Sequence, residues 1–257
     1  MGSLSKNLPS DITSYDLLKT FAIITMIIDH IGAYMMPEFI ELRAIGRLSA
    51  PVWFFLIGYA LNRKLELRLW IGAIILMIGH YLINEETLPL NILFTFLLIR
   101  LTLNPLMKFL EIEFLRVLIF FIPLFVLSIF TMDYIEYGVL GYYCAISGYL
   151  VRHKDRLNMD NKQITILVLL AFIAYWMNQT LLFGFNSMNS AFVLFSFFIL
   201  ATILSEFKSK TYPELTEKLG SMKHVVFLTG RRTLEIYVIH VLAFKAFGAF
   251  VLGLDVP

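Results

Sequence analysis

The amino-acid sequence predicts an all-α protein, a polytopic transmembrane helical bundle, and three observations predict it. Of its 257 residues, 59% are hydrophobic and only 16% are charged, where soluble domains run to about 45–50% and about 25%. Apolar runs of helix length recur along the chain, and a spanning helix needs roughly 20 mostly apolar residues. The runs do not alternate polar with apolar residues as a transmembrane barrel would. The 24 phenylalanines suit a lipid-facing exterior, and a net charge of +2 gives no footprint for nucleic acid.

About nine spans are expected, with eight or ten within reach of the same pattern. They cover approximately 16–36, 48–62, 67–84, 88–104, 114–131, 135–151, 164–182, 190–206 and 233–252. The second and fourth are short, so they tilt little or pack in protein rather than lipid. Loop charge orients them. Arg63, Lys64 and Arg68 follow the second span. Arg100, Lys108 and Arg116 lie around the fourth loop, and Arg152, Lys154, Arg156 and Lys162 follow the sixth span. Lys208, Lys210, Lys218, Lys223, Arg231 and Arg232 precede the ninth. The intervening loops carry Glu85 and Glu86, then Asp133 and Glu136, then no charge between Phe183 and Ser190. Basic loops face the cytoplasm. The chain is therefore expected as a single integral-membrane domain, 1–257, with a cytoplasmic N-terminal segment, 1–15, and the C-terminus outside. Residues 206–232 form a cytoplasmic loop with a short amphipathic helix near 212–219. The polar N-terminus is not a cleavable signal peptide, and Lys6 stands where a myristoylation motif needs Ser or Thr. No internal repeat supports an inverted-repeat transporter.

One loop dissents. The connection after the first span should be external, yet it holds Arg43 and Arg47 beside Glu38 and Glu41. Positive charge on the wrong side implies a task or a buried partner.

Asp29 and His30 lie inside the first apolar run, where an acid costs roughly 2.5–3.5 kcal/mol at a helix centre. Ionisable groups at membrane depth mark function by default. Lys19 precedes His30 by eleven residues, about 1,100° of helical rotation, so the two share a face and stand about 16 Å apart along the axis. Asp29 projects about 100° away from His30, which makes Arg47 a natural partner. Pro51 fits the first turn of the second span, and Arg47 just before it can face the bundle. His80, and His240 with Glu235, Tyr237 and Arg232, are placed to line the same polar cavity. The bland alternatives are a snorkelling Lys19, an interface anchor at Arg47 and a structural ion pair at Asp29. No His-x-x-x-His pair or cysteine cluster is present, so no metal is expected. The single cysteine, Cys144, reads as packing, His153 as a solvated loop residue, and Ser147-Gly148 as close helix packing.

These residues resemble a known family. Lys19 and His30, separated by ten residues, match the first-span signature of the transmembrane acyltransferase superfamily, with Lys for the commoner Arg. Three blocks together resemble the TraX family, whose namesake acetylates the amino terminus of pilin subunits. The first is Leu18-Lys19 with Met26 and Asp29-His30-Ile31-Gly32. The second is Leu42-Arg43-Ala44-Ile45-Gly46-Arg47-Leu48 with Pro51 and Phe54, and the third runs from Gly230 to His240. The resemblance implies a cytoplasmic acetyl-CoA donor and an essential His30, acting as general base or transient acyl carrier. It implies that Lys19, aided by Arg63, Lys64, Arg68, Arg231 and Arg232, meets the CoA phosphates. Asp29 would orient the histidine, and Arg47 or a nearby donor would stabilise an oxyanion. Lysine offers a point charge where arginine offers a fork. The acceptor would be an amine or hydroxyl, a pilin-like amino terminus or a glycan, reached from the outer side of a bacterial inner membrane. Gly-containing apolar faces leave a homo-oligomer open. Two other classes remain: a proton-coupled transporter or flippase using Asp29 and His30 as a relay, and a non-enzymatic assembly factor.

Overall fold

A computed structural model describes residues 9–83 and 88–253. Glu85 and Glu86 of the charge alternation, and Lys6, lie outside the described residues. The helices in chain order are α1 (Ser14–Tyr34), α2 (Ile40–Gly46), α3 (Ser49–Tyr59), α4 (Leu67–Leu82), α5 (Ile92–Phe109) and α6 (Phe114–Thr131). They continue with α7 (Gly141–His153), α8 (Asn161–Phe183), α9 (Ser187–Ser205), α10 (Pro213–Lys218), α11 (Lys223–Arg231) and α12 (Thr233–Phe250).

Each expected span is a helix, but they are not equal. Among the described residues, six helices (α1, α5, α6, α8, α9 and α12) are long and apolar enough to cross a membrane. The chain is a polytopic integral membrane protein. Helix α4 is apolar but shorter. Helices α3 and α7 have 11 and 13 residues, about 16 and 20 Å of rise against a hydrocarbon core of about 30 Å. They need no more, because they are sheathed in protein. Every residue of α3 except Trp53 is buried, as is α7 from Gly141 to Val151 except Tyr149.

The α3–α7 pair is the centre of the bundle, and small residues make it. A Cβ at Gly58 would collide with the Ala145 carbonyl, and one at Gly148 with the Phe55 carbonyl. In lipid, close backbone approach replaces the hydrophobic drive that soluble helices use. A Gly148→Ala substitution meets backbone that cannot swing aside, so we expect a loss of about 1–3 kcal/mol, read as a lower melting temperature in detergent. An unchanged midpoint would mean the helices are not in this contact.

Local chemistry fixes the start of α1. Thr13 caps it reciprocally with Asp16, which satisfies two backbone donors at once. Ile12–Thr13 pairs antiparallel with Thr211–Tyr212, and Arg231 donates to Asp16. The 206–232 connection therefore carries a strand, α10 and α11 packed on the start of α1, more structure than a loop with one short helix.

Contacts sort the bundle into two ends. At the Lys19 end, Arg152 Nη1 reaches Tyr59 Oη, Arg63 reaches Asn104, and Tyr15 packs on Tyr59 and Phe207. At the opposite end, the Leu90 N–H donates to the Tyr134 carbonyl and its carbonyl accepts from the Glu136 N–H, and Phe183 lies under Arg43 and Arg47. The basic connections gather at the Lys19 end.

Candidate active site

A cavity of about 1310 Å³ runs between these ends. Lys19, Arg68 and Arg100 line one end of it, Met26, Trp53 and Phe96 its apolar middle, and Asp29, His30 and Arg47 its deeper part. Lys19 and His30 thus face one space, as their helical phase requires. His80, Glu136 and Lys245 line the far part.

His30 Nδ1 lies 2.7 Å from His240 Nε2 on α12, and His240 Nδ1 lies 2.6 Å from the Ile236 carbonyl oxygen. These two contacts fix the tautomers of the neutral pair. A carbonyl only accepts, so His240 Nδ1 carries the proton and donates to Ile236. His240 Nε2 then holds a lone pair, and it accepts from Nδ1–H of His30. The Nε2 of His30 is left unprotonated, the state in which an imidazole is a base or a nucleophile. Tyr34 stacks on the His30 ring with centroids 5.4 Å apart. His240 is not a lining residue; it stands behind His30. Orientation of His30, assigned to Asp29 from the sequence, falls to His240 because Asp29 points elsewhere.

Asp29 is held by two arginines. Arg43 Nη1 donates to Oδ2 at 2.9 Å and to the Asp29 carbonyl at 3.1 Å, and Arg47 Nη2 donates to Oδ1. Asp29 and Arg47 are only 5% and 4% exposed, so this is a buried ion triad. It supplies the partner that the dissenting loop charges called for. Gly46 permits it, since a Cβ there would overlap the Asp29 side chain. Arg47 Nε donates to the Arg43 carbonyl, and its Nη1 donates to Tyr137 Oη at 3.3 Å and to Gln179 Oε1 at 3.4 Å. Four bonds occupy most of the five N–H donors a guanidinium owns. Arg47 is placed to organise the site more than to donate to a reacting oxygen.

Two residues assigned to the phosphate clamp belong elsewhere. Arg63 is buried and donates to the Ile57 and Gly58 carbonyls and to Asn104. Because α3 ends inside protein, its last carbonyls need donors that water would otherwise give. Arg231 is spent on Pro9, Asp11 and Asp16 and stacks over Phe227. Arg232 is exposed, 3.7 Å from Glu235, and neither lines the cavity. Glu235 also approaches Arg68 at 3.8 Å. Lys64 is exposed, and its carbonyl accepts from Arg100.

Arg100, Tyr137, Gln179 and Lys245 were not among the site residues expected from sequence. Lys245, 4% exposed and 5.1 Å above the Tyr34 ring, sits in an apolar helix just as Asp29 does. The rule that singled out Asp29 applies to it equally. Arg100 keeps its Nε buried with no hydrogen-bond partner among the described residues. Tyr137 adopts left-handed backbone with φ of 62°, a cost of roughly 1–2 kcal/mol for an L-residue, and such outliers cluster at functional sites. Among the described residues no group of three or more His, Cys, Asp or Glu side chains is arranged to hold a metal ion.

Fold and site together define an integral membrane protein with an enclosed histidine centre. The sequence profile of TraX protein matches residues 14–246, and the chain belongs to the TraX family. It is also similar to an uncharacterized protein of Rickettsia prowazekii (strain Madrid E), RP591. The two are 32% identical over 210 residues, which cover 77% of this chain and 82% of the relative. No solved structure matches the chain.

Proposed function

We propose that this TraX-family protein transfers an acetyl group from acetyl-CoA to an amine or hydroxyl acceptor. The observation that carries this reading is the His30–His240–Ile236 relay, which leaves a basic nitrogen at a cavity whose other end gathers Lys19, Arg68 and Arg100. The three cations meet the CoA phosphates on the cytoplasmic side of a bacterial inner membrane. The apolar middle of the cavity takes the thin pantetheine arm, and the axial rise of about 16 Å from Lys19 to His30 suits its length. At the thioester, the acceptor N–H or O–H adds to the carbonyl carbon while His30 Nε2 takes the proton. The intermediate collapses with cleavage of the C–S bond, and the imidazolium returns the proton to the departing thiolate. The products are the acetylated acceptor and free CoA.

The acceptor reaches His30 from the far part of the cavity, either a pilin-like peptide amino terminus or a sugar hydroxyl. Purified protein is given radiolabelled acetyl-CoA with an amine-terminated peptide or an oligosaccharide. Transfer to one of them identifies the acceptor class. Lys19→Ala and Arg100→Ala should each weaken acetyl-CoA binding about tenfold or more, the worth of one charged hydrogen bond. Failure of the wild type to bind acetyl-CoA would overturn the reading. A stoichiometric burst of CoA without acceptor would make His30 an acyl carrier instead of a base.

A further inference from the structure

Arg47 imposes a direction on the two polar groups it touches at the cavity wall. A guanidinium has no acceptor, so the oxygen end of the Gln179 amide must face Arg47, as it does. The amide nitrogen then points away, and it has no hydrogen-bond partner among the described residues. Gln179 is 1% exposed and is one of the residues around the cavity, so an unmet donor lies buried just behind that wall. Tyr137 is constrained in the same sense. Its hydroxyl oxygen accepts from Arg47 Nη1, which turns its own O–H outward from the arginine. Tyr137 also lines the cavity, packed against Phe54 at 5.6 Å and Tyr175 at 6.3 Å between ring centroids. Both rings restrict where that hydroxyl can go. Arg47 at once holds Asp29, the residue before His30. One side chain therefore ties the donor pair to the chain neighbour of the basic histidine.

We propose that Gln179 Nε2–H and Tyr137 O–H form a site for an oxygen acceptor, the carbonyl oxygen of the acyl thioester. The proposal rests on the acyl-transfer reading and deepens it. As the acceptor nucleophile adds, the carbonyl π electrons move onto this oxygen, and the two donors hold the negative charge. When the C–S bond breaks, the electrons return and the carbonyl re-forms. Fixed donors aimed at developing charge in a water-poor site do such work without reorganisation. Arg47 polarises both donors from behind.

Two thioether analogues test this by binding alone: acetonyl-CoA, which keeps a ketone oxygen near the position of the thioester oxygen, and propyl-CoA, which has none. Wild type should bind acetonyl-CoA about five- to tenfold more tightly than propyl-CoA, the worth of one or two neutral hydrogen bonds. In Tyr137→Phe combined with Gln179→Glu, which leaves an oxygen for Arg47 but no amide donor, the preference should vanish while CoA itself binds as before. Tyr137→Phe alone removes a single oxygen and should reduce the preference even if the double variant folds poorly. Acetyl transfer by the double variant should fall about 10²-fold. Equal binding of the two analogues to wild type, or a preference that survives both substitutions, overturns the oxygen site and leaves the acyl-CoA reading standing. Absence of binding by CoA and both analogues overturns the two together.

Discussion

Replacing His30 with alanine is expected to lower the rate of acetyl transfer by about 10²–10⁴-fold, the usual contribution of a positioned general base. Acetyl-CoA binding should change little. Lys19, Arg68 and Arg100 line the cavity away from the histidine, and under the proposed function they would hold the phosphate end of the donor. Uniform binding and chemistry are thus separated along one channel, and kinetics can report them separately. His240 sharpens the test. It does not line the cavity, so its replacement removes no contact with substrate. What it removes is the acceptor that keeps the His30 proton on Nδ1. His240→Phe should therefore lower kcat and leave KM for acetyl-CoA near wild type. His240→Gln, whose amide oxygen reaches about as far as the lost ring nitrogen, should recover part of the rate. If His240→Phe turns over normally, the relay has no part in the reaction, and a proton path through Asp29 becomes the better account of His30.

The features visible in the sequence were those that obey a single-helix rule. Lys19 and His30 share a face by arithmetic on one helix, and they do line one cavity. Arg43 and Arg47 violated loop-charge alternation, and both sit on Asp29. What escaped depended on how separate helices meet. His240 lies 210 residues from His30, and only the rotation of α12 against α1 decides whether two intramembrane histidines touch or merely share a depth. Arg63 shows the same limit from the other side. As a cation after an apolar run it counts as a surface charge, but α3 stops short within the protein, and its open carbonyls claim the side chain. The second span is short in the sequence already, but its length alone leaves open whether protein or lipid surrounds its end. Burial in protein lets α3 end at Tyr59 and lets α7 begin only at Gly141. Gln179 and Tyr137 are polar residues of ordinary type at span ends. Only their common neighbour, Arg47, gives them a direction.

Asp29→Ala is expected to destabilise the protein by about 3–5 kcal/mol, the cost of stranding buried charge when one partner of an ion pair is removed. Arg47 has almost no access to solvent, and it cannot snorkel because its donors are anchored to Tyr137, Gln179 and the Arg43 carbonyl. Arg43 is less enclosed and can reorient, so the penalty falls chiefly on Arg47. That asymmetry makes the prediction specific. Arg47→Met in the Asp29→Ala background should restore much of the melting temperature, because a buried ion pair replaced on both sides by apolar groups is often close to neutral. Arg43→Met in the same background should restore less. Recovery of stability need not bring back activity. Without Arg47, Gln179 and Tyr137 lose the donor that orients them. A double variant that melts like wild type yet fails to transfer acetyl would assign the triad to positioning of the site. One that regains both properties would make it a dispensable strut. Equal rescue by Arg43→Met and Arg47→Met would show that the charge is shared evenly, and that the burial difference between the two guanidinium groups has no energetic weight.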